Sequence, residues 1–222
     1  MIRGADIIVQ SLIAEQVEYI FGYPGGAIMP VYDALYDYHE RIKHVLTRHE
    51  QGAIHAAQGY ARVSGKVGVA LATSGPGATN LITGLADALI DSTPLVCITG
   101  QVAAHLLGSD AFQETDVVGI SMPGTKWNYQ VRHAADIAPA IAKGFHIARS
   151  GRPGPVLIDI TKNAQIELAE MQYTPCTYIR SYRPYVPISA ERVAEAAALI
   201  DAAERPYLLF GQGCLSVRQM KS

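Results

Sequence analysis

The sequence predicts a doubly wound α/β fold with a mainly parallel sheet, followed by the start of a second α/β domain. Short apolar runs at 19–21, 67–72, 95–99 and 156–160 are continuous rather than alternating, which marks strands buried on both faces. They recur between segments of helical periodicity such as 5–16 and 78–90, the pattern of a parallel sheet between helix layers. Three strand-like segments also run directly into polar or glycine-rich joins, and in an open parallel sheet the carboxyl edge is where ligands bind.

Taken along the chain, a helix at 5–16 precedes the strand 19–21, which opens into Gly22-Tyr23-Pro24-Gly25-Gly26. A short strand at 43–47 runs into Arg48-His49-Glu50-Gln51-Gly52 and a helix over 51–63. That helix carries Ala53, Ala56, Ala57 and Ala61, small enough to let it sit close to its neighbour, and Gly65-Lys66 ends it. The strand 67–72 leads into Thr73-Ser74-Gly75-Pro76-Gly77-Ala78-Thr79-Asn80 and a helix over 78–90. On that helix Asp87 and Asp91 read as a solvated face. Strands at 95–99 and 156–160 complete the set.

Beyond Ile166 the texture changes, and Pro175, Pro184 and Pro187 break a stretch with little periodicity. The expected organisation is a first domain over 1–165, a linker over 166–188 and the start of a second domain over 189–222. In the last part Ser189 caps an alanine-rich helix reaching Ala203, a strand follows at 207–210, and Gly211-Gln212-Gly213 forms a loop. A unit of about 34 residues falls below the size at which a core closes by itself, so the chain is expected to be part of a longer protein.

Composition excludes several classes. The formal net charge is −2 with no run of like charges, so neither nucleic acid nor an anionic membrane is an expected partner. The start reaches Glu15 without the apolar stretch of a secretory signal, and no window is apolar enough to span a bilayer. Cys97, Cys176 and Cys214 are widely spaced, without a metal-binding pattern, which points to a reduced, cytoplasmic setting. Charged residues make up 17% of the chain against roughly 25% in globular proteins, and the surplus of apolar surface suits subunit interfaces.

Of the candidate residues, Glu50 carries the most chemistry. A carboxylate in the first turn of a helix is favoured by the helix dipole, and the small apolar residues after it leave a low-dielectric pocket where a carboxyl can share a proton with a ring nitrogen. The 73–80 join lacks the Gly-Lys-Ser/Thr ending of a Walker A loop, and the dinucleotide pattern fails at Asn80, as it does at Ser216 after Gly211. The seven histidines show no metal-ligand spacing.

Six blocks, in order, resemble thiamine diphosphate (ThDP) enzymes: Phe21-Gly22-Tyr23-Pro24-Gly25-Gly26, Arg48-His49-Glu50-Gln51-Gly52-Ala53, Ser74-Gly75-Pro76-Gly77-Ala78-Thr79-Asn80, Ile98-Thr99-Gly100-Gln101, Asp110-Ala111-Phe112-Gln113-Glu114 and Ser150-Gly151-Arg152-Pro153-Gly154-Pro155-Val156. Within that superfamily the sequence is similar to the catalytic-subunit family of acetolactate synthases, over residues 1–213. The resemblance implies that 1–165 is the pyrimidine-binding domain, with 189 onward beginning the middle domain associated with FAD. It makes Glu50 the partner of the cofactor's pyrimidine nitrogen, framed by Pro24, Gly25, Gly26, Gly75, Pro76, Gly77 and Asn80. Phe112 and Gln113 would face the reacting groups, Lys162 would lie near the substrate entrance, and Arg152 with Gly211, Gln212 and Gly213 would contact FAD.

The implied reaction is decarboxylation of pyruvate and carboligation to a second 2-oxo acid in branched-chain amino acid biosynthesis, in a homo-oligomer with a possible small regulatory subunit. Departures stand at Ala103 after Gly100-Gln101-Val102, at Trp127, at Thr161 and Asn163 on either side of Lys162, and at Gln212. No Gly-Asp-Gly diphosphate and Mg²⁺ motif occurs, so half a site, inactive by itself, is expected. Another ThDP carboligase or decarboxylase, of pyruvate oxidase or oxalyl-CoA decarboxylase type, and a non-catalytic pyrimidine-binding module are the alternatives.

Overall fold

The computed structural model describes residues 1–185 and 187–214. Two compact units divide the chain, Met1–Thr177 and Tyr178–Ser222. The elements of the first are β1 (Ile2–Arg3), α1 (Gly4–Ala14), β2 (Tyr19–Gly22), α2 (Met29–Asp37), β3 (Lys43–Leu46), α3 (Glu50–Ser64), β4 (Gly68–Ala72), α4 (Pro76–Thr79), α5 (Ile82–Ile90), β5 (Leu95–Gln101), α6 (Val117–Ser121), β6 (Trp127–Val131), α7 (Ile137–Arg149), β7 (Pro155–Thr161), α8 (Lys162–Ile166) and β8 (Leu168–Ala169).

Six strands form one sheet in the order β3-β2-β4-β5-β7-β6, with every neighbouring pair parallel. Strands β1 and β8 make a separate antiparallel pair in which Ile2 faces Ala169. The chain winds from β2 outward to β3, then jumps back past β2 to β4. That reversal between β2 and β4 is the topological switch point, where the loops at the carboxyl edge diverge and leave a crevice.

Every residue of β4, β5 and β7 is buried, as continuous apolar runs require of strands covered on both faces, whereas β3 at the sheet edge is largely exposed. One helix layer contains α1, α2, α7 and α8, and the other contains α3, α5 and α6. Small residues set the second layer's spacing. Ala53, Ala57 and Ala61 of α3 lie buried over Ala70 and Ala72 of β4, with Ile54, Leu81 and Leu85 filling between. A Cβ on Gly68 would sit 2.3 Å from the Ala57 carbonyl oxygen, so the strand and helix approach to backbone contact there. Helix α3 then closes at Gly65, whose φ of 73° lies in the left-handed region and whose N–H donates to Ala61.

Five elements differ from the sequence reading. The single helix expected over 78–90 is two, α4 and α5, separated at Asn80-Leu81, because Pro76 starts the first turn early and the Asn80 side chain is drawn into a tertiary contact. Strand β6 and helices α2 and α7 had no counterpart. Residues 207–210 are not a strand: they carry no regular structure, and no described segment offers them a ladder of hydrogen bonds. In this second unit Ser189 does cap a helix, α9 (Ala190–Ala202), accepting the Arg192 N–H at 3.3 Å. Ser216 lies outside the described residues.

Residues past 165 continue to pack within the first unit. Helix α8 follows β7, β8 pairs with β1, and the Tyr173 hydroxyl donates to the buried carboxylate of Glu15, which also takes Arg149 Nη1 at 2.7 Å.

Because the Ala57 carbonyl is backbone and cannot swing aside, Gly68→Ala should destabilise the domain by about 1–3 kcal/mol. Urea denaturation should show a lower midpoint with an unchanged slope. An unchanged midpoint would mean that α3 can move off the sheet freely.

Candidate functional site

The joins after β2, β3 and β4 converge at the switch point, and Thr73 is where they meet. Its Oγ1 accepts the Ala27 N–H at 3.2 Å, fastening the first join. A Cβ on Gly25 would lie 2.5 Å from Thr73 Cγ2, and one on Gly77 would lie 2.8 Å from the same methyl, so both glycines are needed for close approach. The Ala27 carbonyl is held from the other side by Gln165 Nε2 at 2.8 Å, which also donates to the Ile160 carbonyl at 3.0 Å.

Glu50 opens α3. His49 caps the helix, its Nδ1 accepting the Gln51 N–H at 3.1 Å, and the Glu50 side chain turns inward to 7% exposure. Asn80 Nδ2 donates to Glu50 Oε2 at 2.9 Å. A hydrogen bond to a carboxylate contributes about 1.5–3 kcal/mol, and the helix N-terminus adds to it. Oε1 accepts nothing from the described residues. It lies 3.1 Å from where a Cβ of Gly77 would stand, so the residue types that Gly77 excludes are those that would cover this oxygen.

Tyr32 lies close by. Its hydroxyl is buried with no partner among the described residues, next to Gly22 and edge-on to His44 at 4.9 Å. Burial first, and the negative charge of Glu50 second, raise the phenol well above its ordinary range. The arrangement is a sunken carboxyl with one oxygen anchored and one open, floored by glycine. It can exchange a proton with a ring nitrogen placed over it, and this is the fit that the pyrimidine of ThDP requires.

The turn carrying Phe112 and Gln113 also reaches this edge. A Cβ on Gly75 would lie 2.5 Å from the Gln113 carbonyl oxygen, and Gly75 has a φ of 55° and Gln113 a φ of 58°. Phe112 is 87% exposed. The Glu114 carboxylate accepts the backbone N–H groups of Gly108 and, at 3.0 Å, Ala111, and these bonds hold its pKa below the usual carboxylate range.

Behind the turn, Asp159 of β7 is completely buried and takes Thr99 Oγ1 at 2.7 Å, Gln101 Nε2 at 3.1 Å and Gln130 Nε2 at 3.0 Å. Burial pushes its pKa up to about 6, against the pull of those three donors.

Pro24 and Gly26 are exposed on the first join, Pro76 on the third, and Lys162 stands exposed at the carboxyl end of β7, on the same edge of the sheet. Its neighbour Asn163, a departure from the family pattern, is put to use: Oδ1 accepts the Ala104 N–H at 2.8 Å and steadies the segment after β5. Arg152 is not brought to this edge. It precedes β7, and its guanidinium binds Ser92 Oγ and the Leu89 and Ile90 carbonyls at the end of α5, at the opposite edge. Gly211, Gln212 and Gly213 belong to the second unit and are exposed there. Among the described residues no cluster of three His, Cys, Asp or Glu side chains could hold a metal ion, and no helix is long and apolar enough to cross a membrane.

Sequence reasoning missed Thr73, Tyr32 and Gln165 as working side chains. Thr73 had a usable signal, its place at the last step of a strand before Ser-Gly-Pro-Gly. Tyr32 and Gln165 had none, since their partners are tertiary.

Residues 2–120 match the family described as thiamine pyrophosphate enzyme, N-terminal TPP binding domain, and the chain belongs to it; thiamine pyrophosphate is ThDP. The chain is 51% identical over 212 residues to the acetolactate synthase large subunit of Corynebacterium glutamicum, covering 96% of this chain and 34% of that protein. It is 50% identical over 213 residues to the acetolactate synthase isozyme 1 large subunit of Escherichia coli, covering 96% and 37%. A probable acetolactate synthase large subunit of Methanocaldococcus jannaschii is 47% identical over 216 residues, with 96% and 36% covered. The chain thus spans about a third of the length of these curated relatives.

The electrostatics of Asp159 give a pH signature. Its folded pKa stands above the unfolded value, so the folded state holds the proton more tightly, and this group's contribution to stability falls as pH rises from about 3.8 to about 6. Asp159→Asn keeps two acceptor lone pairs without the charge. The wild-type minus variant stability should therefore drop by up to about 3 kcal/mol between pH 4 and 6.5 and stay level above that. Carboxylates such as Glu18, Glu114 and Glu167, whose lowered pKa values act in the opposite sense, cancel in the difference. Parallel urea-derived curves would contradict this.

Proposed function

We propose that this chain provides the pyrimidine half of the ThDP site of an acetolactate synthase, which decarboxylates pyruvate and joins the remaining two carbons to a second 2-oxo acid. The observation that carries the reading is Glu50, buried at a helix start with Oε2 held by Asn80 and Oε1 open beside Gly77. Its support from outside the site is the family match over residues 2–120 and the identity to acetolactate synthase large subunits.

When bound, the cofactor supplies an acidic thiazolium carbon and an electron sink for decarboxylation. The chain's residues do the rest of this half. Glu50 Oε1 holds or accepts the proton at the pyrimidine nitrogen, and Asn80 fixes the carboxyl plane so that the open oxygen faces the ring. Gly25, Gly75 and Gly77 let backbone approach, with Pro24, Gly26 and Pro76 on the rim. Burial keeps water from competing for the open Glu50 oxygen. Phe112 and Gln113 stand over the reacting groups, and Lys162 lines the approach for anionic 2-oxo acids.

The diphosphate with its Mg²⁺, and FAD, belong on this reading to the longer polypeptide. A cytoplasmic homo-oligomer, in which another subunit completes the site and a small regulatory subunit can attach, follows from the same reading, as does the division into a pyrimidine domain, a linker and the start of a middle domain from 189.

The test is a hybrid in which this chain replaces the matching segment of the E. coli isozyme 1 large subunit. It should form acetolactate from pyruvate with ThDP and Mg²⁺, and Glu50→Gln should cut turnover by about 10²–10⁴-fold, while the 222-residue chain alone should not turn over. A folded hybrid that makes acetyl phosphate instead, or that is indifferent to Glu50→Gln, would overturn the reading.

A further inference from the structure

Asp159 is a buried carboxylate that the proposed chemistry does not use, and among the described residues no cation pairs with it. An ionised group taken out of water costs stability unless hydrogen bonds or a counter-charge offset the lost hydration. Its partners lead in one direction. Thr99 on β5 and Gln130 on β6 lie directly across the ladder from it, so their bonds are local to the sheet. Gln101, the last residue of β5, also bonds outside the sheet.

The Gln101 side chain is engaged at every group. Oε1 accepts the Val102 N–H at 2.9 Å, and Nε2 donates both to Asp159 Oδ2 at 3.1 Å and to the Thr115 carbonyl at 3.0 Å. Because Oε1 and Nε2 face partners of opposite character, the amide cannot flip without setting donor against donor and acceptor against acceptor. Thr115 is the exit of the turn that bears Phe112 and Gln113.

That turn is fastened internally by Glu114 and pressed on Gly75 through the Gln113 carbonyl. Both contacts involve the turn's own backbone or side chains. Gln101 is the side chain of the sheet that ties the turn's exit to the strands, and Asp159 is what orients Gln101.

We propose that Asp159 is a positioning residue for the Phe112–Gln113 turn, acting through Gln101 on the Thr115 carbonyl to keep Gln113 seated over Gly75. The proposal rests on the reading of the function only for the work given to the turn. The placement itself stands on the contacts above.

Hydrogen–deuterium exchange of the 222-residue chain without cofactor reads it directly. The amides of Glu114 and Val117 are hydrogen-bonded inside the segment and report on it. Asp159→Val and Gln101→Leu should each speed exchange of the peptide over 102–118 by about tenfold or more, leaving β4 and α3 at wild-type rates. Asp159→Asn, which still offers Gln101 an acceptor while Thr99 Oγ1 turns to accept, should stay within about threefold of wild type. The Asp159→Val and Gln101→Leu pair combined should exceed neither single variant, as expected of residues acting in series.

Wild-type exchange over 102–118 in Gln101→Leu would overturn the proposal, as would acceleration spread evenly over all segments in both apolar variants. If Asp159→Val does not fold, Gln101→Leu alone decides. None of these outcomes bears on the Glu50→Gln hybrid, so the two ideas fail separately.

Discussion

The hydrogen bond from the Ala27 N–H to Thr73 Oγ1 is the contact on which the site depends. It joins the two loops that flank the switch point, and it can form only because Gly25 and Gly77 carry no side chain toward Thr73. The carbonyl of the same residue is held by Gln165, and Gly100 leaves room beneath, where a Cβ would lie 2.5 Å from the Ala27 carbonyl oxygen. Backbone groups taken from water must find partners. At Ala27 the partners are two side chains from β4's end and α8, so a loop that would otherwise float is set by the sheet. Glu50 is then oriented against a floor that is already fixed.

The chain buries two carboxylates near this edge and treats them in opposite ways. Asp159 is filled: three donors converge on it, and its oxygens have no need of a ligand. Glu50 is held at one oxygen by Asn80 and left open at the other. A saturated acid in a sheet core braces its neighbours, whereas an acid with one free oxygen in a glycine-lined recess can meet a substrate or cofactor. Burial alone does not tell the two apart, since Asp159 is the more deeply buried. The count of unfilled acceptor positions does.

Much of this was legible in the sequence, for reasons that also mark where legibility stops. Continuous apolar runs gave β4, β5 and β7 because burial on both faces leaves no alternation to misread, and glycine-rich joins gave the loops because close approach restricts residue type. Strand β6 was hidden because Asn128 and Gln130 interrupt its apolar side, and both are polar for tertiary reasons: Asn128 binds the Val118 carbonyl and Ser121 Oγ, and Gln130 binds Asp159. Residues 207–210 read as a strand by composition alone, yet a strand exists only through pairing. The same logic separates Glu50, visible from its local setting, from Gln165, which takes its role from Ala27, far off in the sequence.

The edge around Glu50 also retains unmet polar groups. The Tyr32 hydroxyl and Gln165 Oε1 are buried without partners among the described residues, and each such group costs about 1–3 kcal/mol. Both sit on helices packed on the sheet, Tyr32 on α2 and Gln165 on α8, rather than on the exposed rim. Across the sheet from them the packing is close, from Ala57 over Gly68 to Ile54 against Gly84, and the stability of the folded core offsets that cost. Glu50 itself is held by the Asn80 bond at the start of a packed helix, and so keeps a fixed posture before anything binds. A carboxyl posted in this way loses little ordering entropy when a ring nitrogen arrives, which is the advantage that preorganisation gives over a carboxyl on a flexible loop.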